Sequence, residues 1–318
     1  MFNRPNHQRI AKVLQAFDSG LLQEAECFFG GGTAIALLLG EYRESVDIDF
    51  LCSSNDGYRI LRNAVSTDLG SLLKSPLKHL RDVRVERDSI RTVLEIDGQP
   101  IKVEFLKEGN SPVSGVVESL FGIPTLSRVD MFTQKLLANA DRGLDKSTSS
   151  RDIIDLAMMI HFWGSIPQLA LDKALGAYGA CVITGLYKSV DLIKDNGYLL
   201  GCMDRMKMDS SLLDVIHAAL DGDVQLGSES LREAKKIASD KGVFTLVEPR
   251  LDQVIQIAKV IGLTEHHAVL SLGRSAAIIA LSDLDRVPLA GEMVGVVFKA
   301  GKGVVSPLAL VNDRGLGK

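Results

Sequence analysis

Two aspartates separated by one residue are the first groups in this sequence that could do chemistry. Asp47 and Asp49 lie in residues 46–51, where apolar and acidic residues alternate as they do in a half-buried strand. Residues i and i+2 of a strand face the same side, so the two carboxylates should point together, and their apolar neighbours are expected to face the core (Val46, Ile48 and Phe50). Two strand rises separate the Cα atoms by about 6–7 Å, which lets both carboxylates converge on a hard cation such as Mg²⁺.

A glycine turn precedes the two aspartates. An apolar segment, residues 27–29, is followed by three glycines at 30–32 and then by a short apolar helix that stops at Gly40. Backbone N–H groups in such a turn are bare and suit phosphate oxygens. A phosphate cradle beside a metal-binding acidic pair is what the transfer of a nucleotide from an NTP requires.

A third carboxylate would complete a two-metal site, and Glu104 is the best candidate. It lies in residues 101–106, which alternate again, on the face opposite the apolar residues Ile101, Val103 and Phe105. Asp97 fits less well because Asp97-Gly98 is a typical hairpin turn. The predicted metal ligands are therefore Asp47, Asp49 and Glu104.

Two stretches of the chain together resemble a known family. The first is GGGTAIALLLGEYRESVDIDF, at residues 30–50, and the second is QKLLANADRGLDKSTSSRDIIDLAMM, at residues 134–159. They resemble the glycine turn, the Asp-x-Asp strand, the helical lysine and the Arg-Asp motif of the AbiEii/AbiGii toxin family. That family belongs to the DNA polymerase β-like nucleotidyltransferase superfamily. The resemblance covers about residues 25–160 and implies the use of an NTP and Mg²⁺, with modification of tRNA 3′ ends in some relatives.

The resemblance and the chemistry together assign roles to eleven residues. Gly31, Gly32 and Thr33 are expected to hold the triphosphate, with Arg43 and Ser45 beside them. Asp47 and Asp49 are expected to bind Mg²⁺, and Glu104 to act as a further ligand or as the base for the attacking hydroxyl. Lys135 and Arg43 should neutralise phosphate charge, and Asp152 should orient Lys135 or contact the sugar. Asp155 is expected to form structural hydrogen bonds.

Length and composition indicate the number of domains, the possible partners and the location of the protein. A chain of 318 residues suggests about two domains, and a net charge of −4 does not favour general binding to polyanions. Contact with RNA would need a local basic surface, for which the candidates are Arg81, Arg84, Arg87, Arg91 and Arg142. The four cysteines form no C-x-x-C pair, and the sequence shows neither a signal-peptide pattern nor an apolar run long enough for a membrane span. A cytoplasmic location, with no membrane partner, is expected.

The predicted fold class is mixed α/β in three parts. Residues 1–165 should form a polymerase β-like nucleotidyltransferase domain with a small mixed sheet, 166–241 a helical region, and 242–318 a small α/β appendage of unknown role. Within them we predict a helix over 57–75, three strands over 83–106, a helix over 251–261 and a β-hairpin over 291–305.

The favoured function is Mg²⁺-dependent transfer of a nucleotide from an NTP to an RNA acceptor resembling tRNA. The protein would act as a toxin of a toxin-antitoxin or phage-defence system, with an antitoxin as a possible partner. Transfer to a small molecule is one alternative, which the acidic net charge mildly favours. A catalytically silent nucleotide-binding module is another, against which the intact Asp47 and Asp49 argue.

Overall fold

The computed structural model describes residues 2–109, 112–179, 181–243, 245–247, 254–264, 267–281, 284–299 and 302–307. The chain divides into two units, Met1–Leu220 and Asp221–Lys318. Each unit combines a sheet with helix, so the predicted mixed α/β class is confirmed. The three-part division with limits at 165 and 241 stays a prediction.

The first unit contains a seven-stranded mixed sheet with the spatial order β3-β4-β5-β2-β1-β7-β6. Its strands are β1 (Cys27–Gly30), β2 (Ile48–Cys52), β3 (Lys78–Val85), β4 (Ser89–Ile96), β5 (Gln99–Lys107), β6 (Gly115–Glu118) and β7 (Ile123–Leu126). The pairs β2/β5 and β1/β7 are parallel, and the other neighbours are antiparallel. Asp97 and Gly98 join β4 to β5 with φ of 50° and 73°, which confirms the predicted hairpin turn.

The chain contains ten described α-helices, and some of them begin at a clear start signal in the sequence. They are α1 (Pro5–Ala16), α2 (Ser19–Glu24), α3 (Gly31–Leu38), α4 (Asn55–Ala64), α5 (Arg128–Arg142), α6 (Arg151–Trp163), α7 (Gln168–Tyr178), α8 (Cys181–Ile193), α9 (Asn196–Arg205) and α10 (Leu213–Asp240). Pro5 opens α1, while Ser54 and Ser127 cap α4 and α5 through their hydroxyls.

The helix predicted over 57–75 is too long. Helix α4 ends at Ala64, and Val65 is already extended. Beyond it, the Asp68 carboxylate accepts a hydrogen bond from the Gly70 N–H, and Gly70 has a φ of 49°. Local side-chain bonding of this kind competes with a helix, so only a single 3₁₀ turn follows, Gly70–Leu72.

Stacked phenylalanines set the register of the central strands. Phe50 of β2 is the partner of Phe105 of β5, and their ring centroids lie 4.8 Å apart. The rings of Phe17 and Phe29 pack on Phe50 at 5.1 and 5.8 Å. A slip of one residue would turn these buried rings to the opposite face, so the register is strongly fixed. The neighbouring position pairs Asp49 with Glu104.

The second unit contains a six-stranded sheet with the order β13-β12-β9-β10-β11-β8. Its strands are β8 (Thr245–Val247), β9 (Val254–Leu263), β10 (His267–Ser271), β11 (Ser275–Ala280), β12 (Met293–Lys299) and β13 (Lys302–Pro307). One apolar cluster includes Val260, Leu270 and Val296. A second joins Ala234 and Ala238 of α10 to Val269 and Ala276, so the end of α10 contributes to this unit's core.

The helix predicted over 251–261 is wrong for its described part. Residues 251–253 lie outside the described residues, and 254–263 form β9. This segment is rich in β-branched residues and pairs with β10 on one side and β12 on the other, which decides in favour of a strand. The predicted hairpin near the end is confirmed as the antiparallel pair β12 and β13, with residues 300–301 outside the described part.

Candidate active site

The glycine turn packs directly on one of the two aspartates. Gly31 begins α3 with a φ of +68°, in the left-handed region that favours glycine. A Cβ atom at this position would lie 2.6 Å from Asp49 Oδ2. No side chain caps the N-terminus of α3, so its first N–H groups are open to a bound anion. The structure therefore brings the predicted phosphate cradle and Asp49 together.

The Asp49 carboxylate lies near two other negatively charged side chains. It is opposite Gly30 in the β1/β2 pair and beside Glu104 in the β2/β5 pair. Burial, together with the negative charges of Asp47 and Glu104, raises the pKa of Asp49 to about 6. The positive charges of Lys102 and Lys135 act in the opposite direction. Four charged side chains thus act on this one carboxylate.

The acidic groups fit Mg²⁺ as an open site. Among the residues that the structure describes, no three His, Cys, Asp or Glu side chains form a ready metal cage. Glu104 is bound through one oxygen by Arg91 and through the other by Lys102, each at 2.5 Å. Mg²⁺ usually takes one or two carboxylates and completes its shell with water and substrate phosphates. The structure therefore favours Asp47 and Asp49 over Glu104 as metal ligands.

Asp47 lies outside the strand that was predicted to hold it. Strand β2 begins at Ile48, and Val46, which we expected to face the core, is 48% exposed. The backbone carbonyl of Asp47 instead accepts a hydrogen bond from the Thr33 hydroxyl at 2.5 Å. The same hydroxyl lies 2.7 Å from Ser45 Oγ. Thr33 and Ser45 were expected to bind the nucleotide, but their hydroxyls hold the loop that carries Asp47.

Lys135 of α5 is buried between two carboxylates. Its Nζ is 2.9 Å from Asp152 Oδ1 and 2.6 Å from Asp155 Oδ2. Arg142 also binds Asp152, through Nε at 2.7 Å. The contact is compatible with one of the two roles predicted for Asp152, orienting Lys135, which stays a prediction. Although burial alone would raise the pKa of Asp152, Lys135 and Arg142 hold that pKa well below its usual range.

Arg43 has a different environment from the one predicted. Its guanidinium is buried, with Nε and Nη2 at 2.6 and 2.9 Å from the two oxygens of Asp155. The Tyr42 hydroxyl donates to Asp155 at 2.5 Å. Burial opposes the charged form of Arg43, but Asp155 and Tyr42 more than offset it and raise its pKa. Arg43 was expected to neutralise phosphate, yet its donors are occupied by Asp155 and the Glu44 carbonyl.

Gly32 makes room for this buried network. A Cβ atom at Gly32 would lie 2.2 Å from Arg43 Nη2 and 3.4 Å from Asp155 Oδ2. Counted together, Arg43, Lys135 and Arg142 oppose only Asp152 and Asp155. Lys135 and Arg142 also act on Asp49, so these cations lie between the buried carboxylates and the acidic side of the site.

Two groups near the site were missed from the sequence. Lys102 is two residues before Glu104 on β5, so the period of a strand could have identified it. Tyr42 lies in a loop, and its partner Asp155 is 113 positions away, so no local pattern indicates it. The predicted basic surface is partly self-paired: Arg84 and Arg91 reach Glu86, and Arg87 reaches Asp88.

Comparison with known proteins decides the family. The family model described as "Nucleotidyl transferase AbiEii toxin, Type IV TA system" matches residues 12–238. The chain belongs to this AbiEii family. The predicted family and the predicted activity, nucleotidyl transfer, are thereby confirmed. A search of the curated proteins found no match.

Several solved structures are similar at low identity. JHP933 from Helicobacter pylori is 17% identical, with 76% of this chain and 100% of that chain covered and a TM-score of 0.44. An antigenic nucleotidyltransferase-like protein from Paracoccidioides brasiliensis is 18% identical, with 61% and 93% covered and a TM-score of 0.37. A Thermotoga maritima CCA-adding enzyme, solved with tRNA, is 12% identical, with 75% and 73% covered and a TM-score of 0.20.

The helices were also compared with the length and hydropathy of a membrane span. Within the described residues, no single helix is long and apolar enough to cross a bilayer. Helices α7 and α8 pass only when counted as one pair, and they are bent by 112° at their junction.

Proposed function

We propose that this AbiEii-family nucleotidyltransferase moves a nucleotide from an NTP, with Mg²⁺, onto an RNA acceptor. One observation carries the proposal: Gly31 opens an uncapped helix so close to Asp49 that a Cβ atom at Gly31 would lie 2.6 Å from its carboxylate, and the charge of buried Lys135 acts on the same carboxylate. In this proposal the N–H groups bind phosphate, the carboxylates bind the metal, and Lys135 is a fixed cation beside them. The combination is specific to chemistry on a polyphosphate.

Each side of the site has its own task in this proposal. The N–H groups at Gly31 and Gly32 bind phosphate oxygens of the NTP, and Asp47 and Asp49 hold the metal. When bound, Mg²⁺ neutralises phosphate charge and orients the attacking and leaving oxygens. Lys135, held by Asp152 and Asp155, is proposed to stabilise the negative charge that develops on the phosphates.

Glu104 receives a more limited task than a metal ligand or base. Because Arg91 and Lys102 each bind one of its oxygens, we propose that Glu104 holds these two cations at the edge of the site. From there they can meet the phosphates of the NTP or of the acceptor.

RNA is the acceptor that we propose, and its support is a local group of arginines in a chain whose net charge is −4. The exposed arginines Arg81, Arg84 and Arg91 lie on β3 and β4 at one edge of the sheet, where Arg84 and Arg91 also pair with Glu86. Such an edge suits a phosphate backbone, whereas a small acceptor would not need it. In keeping with the family, we propose that the protein acts in the cytoplasm as a toxin restrained by an antitoxin.

The test is incubation of the purified protein with each radiolabelled NTP, Mg²⁺ and total cellular RNA. Asp49→Asn, which removes a charge at nearly constant volume, is the matched control. Label in RNA that depends on Mg²⁺ and on Asp49 supports the proposal. Label in a small molecule would support the alternative acceptor, and no label from any NTP would contradict the proposed reaction.

A further inference from the structure

The position of Asp47 depends on contacts other than the sheet. Strand β2 begins one residue later, so the ladder of hydrogen bonds between β1 and β2 does not include Asp47. A metal ligand must nevertheless be held to within a fraction of an ångström. The loop over residues 41–47 must therefore be fixed by its own contacts.

His7 of α1 provides one of these contacts. Its ring is 0% exposed, and its Nε2 lies 3.1 Å from the Ser45 backbone nitrogen. Because that nitrogen carries a hydrogen, Nε2 must accept with its lone pair. The other ring nitrogen, Nδ1, lies 2.8 Å from Glu41 Oε1 and donates to it. The two contacts define a neutral ring with its proton on Nδ1.

Glu41 is itself firmly anchored at the start of this loop. Its carboxylate accepts backbone N–H groups of Asn3 at 2.7 Å and Arg4 at 3.0 Å. The backbone of Glu41 is in the left-handed region, with a φ of 62°. A non-glycine residue keeps such a conformation only when its surroundings hold it there. The N-terminus of α1 and Glu41 therefore form a fixed base for the His7 ring.

The chain of contacts continues from Ser45 to Asp47. Ser45 Oγ lies 2.7 Å from Thr33 Oγ1, and that hydroxyl donates to the Asp47 carbonyl. Helix α3 thus holds the loop from one side through Thr33, and α1 holds it from the other side through His7.

We propose that His7 is a positioning residue for the metal site. Its acceptor nitrogen fixes the Ser45 N–H, and through it the position of the Asp47 carboxylate. The proposal rests on the proposed function, since it takes Asp47 as a ligand of Mg²⁺. It predicts that the acceptor toward Ser45, rather than the bulk of the ring, determines metal binding.

Two amide variants distinguish the hydrogen bond of Nε2 with Ser45 from that of Nδ1 with Glu41. The carbonyl of His7→Gln can reach the place of Nε2 and accept from Ser45, whereas the shorter His7→Asn can replace only Nδ1 and donate to Glu41. Both variants are polar and lack the imidazole. Partners of metal ligands typically contribute about 10–100-fold to metal affinity or activity. We expect about tenfold weaker Mn²⁺ binding in His7→Asn and a value within about threefold of wild type in His7→Gln.

The readouts are Mn²⁺ binding by electron paramagnetic resonance, with a non-hydrolysable NTP present, and kcat and KM for nucleotide transfer. We expect His7→Asn to lose kcat with little change in KM for the NTP, because the phosphate cradle at Gly31 is untouched. Equal Mn²⁺ affinity in the two variants would overturn the proposal, even if both are less stable than wild type. If the wild type binds Mn²⁺ but transfers no nucleotide, the proposed function fails and the binding comparison still decides the role of His7.

A loop variant covers the case in which His7→Asn does not fold. Ser45→Pro removes the same N–H from the loop side, and Ser45→Ala keeps it while losing the hydroxyl. Weaker Mn²⁺ binding in Ser45→Pro than in Ser45→Ala supports the proposal. Equal binding in these two variants contradicts it.

Discussion

Replacing Arg43 by methionine tests the buried network behind the glycine turn. Arg43 is 4% exposed and binds both oxygens of Asp155, at 2.6 and 2.9 Å. Methionine keeps most of the apolar stem but removes the charge and these donors. Removing one partner of a buried ion pair typically costs about 3–5 kcal/mol. We expect the lower end, about 3 kcal/mol, because Tyr42 and Lys135 still donate to Asp155.

The assay is urea unfolding of the wild type and of two variants with matched geometry. Lys12 lies 2.6 Å from Asp97, the same distance as Arg43 from Asp155, but its side chain is 57% exposed. Lys12→Met should therefore lower the free energy of unfolding by under about 1 kcal/mol. If Arg43→Met cost no more than Lys12→Met, the structural role given to Arg43 would be refuted.

NTP binding separates this role from the phosphate contact that the sequence predicted. A ligand that binds the folded state raises the unfolding midpoint. Arg43→Lys keeps the charge but loses the two-point contact with Asp155, so we expect it to be less stable and still to show the NTP-dependent rise. If Arg43 mainly bound phosphate, Arg43→Met would keep its stability and lose that rise.

Further predictions concern the remaining groups of the site. Asp49→Asn should reduce nucleotide transfer by more than tenfold and leave the circular dichroism spectrum unchanged. A smaller loss, below about 1.4 kcal/mol of transition-state stabilisation, would contradict a catalytic role for Asp49. Lys135→Ala should lower the rate of nucleotide transfer from the NTP, and Lys135→Glu should lower it further because the glutamate would repel the triphosphate. Wild-type rates in both variants would contradict this role. Burial lowers the pKa of His7, so the unfolded state binds its proton more readily, and stability should fall as the pH drops below the unfolded value of about 6.5. His7→Gln should lose less of its free energy of unfolding than the wild type between pH 7.5 and 5.5. The same dependence on pH in both proteins would argue against this role of His7. Binding of RNA to the arginines of β3 and β4 should weaken steeply with added salt in a filter-binding assay, and an affinity independent of salt would move the prediction to a small acceptor.

The acidic side of the site was largely predictable from local pattern. Alternation around Asp49 and Glu104 correctly placed both residues on strands, and the pairing of Phe50 with Phe105 then brings the two carboxylates side by side. The pattern failed at Val46, because alternation in the sequence continues past the point where the strand pairing ends. Periodicity gives the face of a residue only where a ladder exists.

The cationic side could be predicted only in part. A lysine on a helix and an Arg-Asp motif indicated Lys135 and Asp152, and the structure joins them. The partner of Arg43 could not be found, since Asp155 lies 112 positions away and both residues are also common on surfaces. Burial converts such residues from solvated charges into a network, and burial is a property of the tertiary fold. For the same reason the sequence predicts a helix where the structure has β9, because a short apolar run fits either structure until its neighbours are known.

The glycine turn is where the two sides of the site meet. The missing side chain of Gly31 admits Asp49, and that of Gly32 admits Arg43, so adjacent residues make room for the acidic pair and for the buried network. A side chain at either position would push the start of α3 away from one of the two. The turn is thus placed between the metal-binding and the cationic groups. We propose that an anion bound to its N–H groups lies between the two charged clusters, so that the two glycines serve both of them.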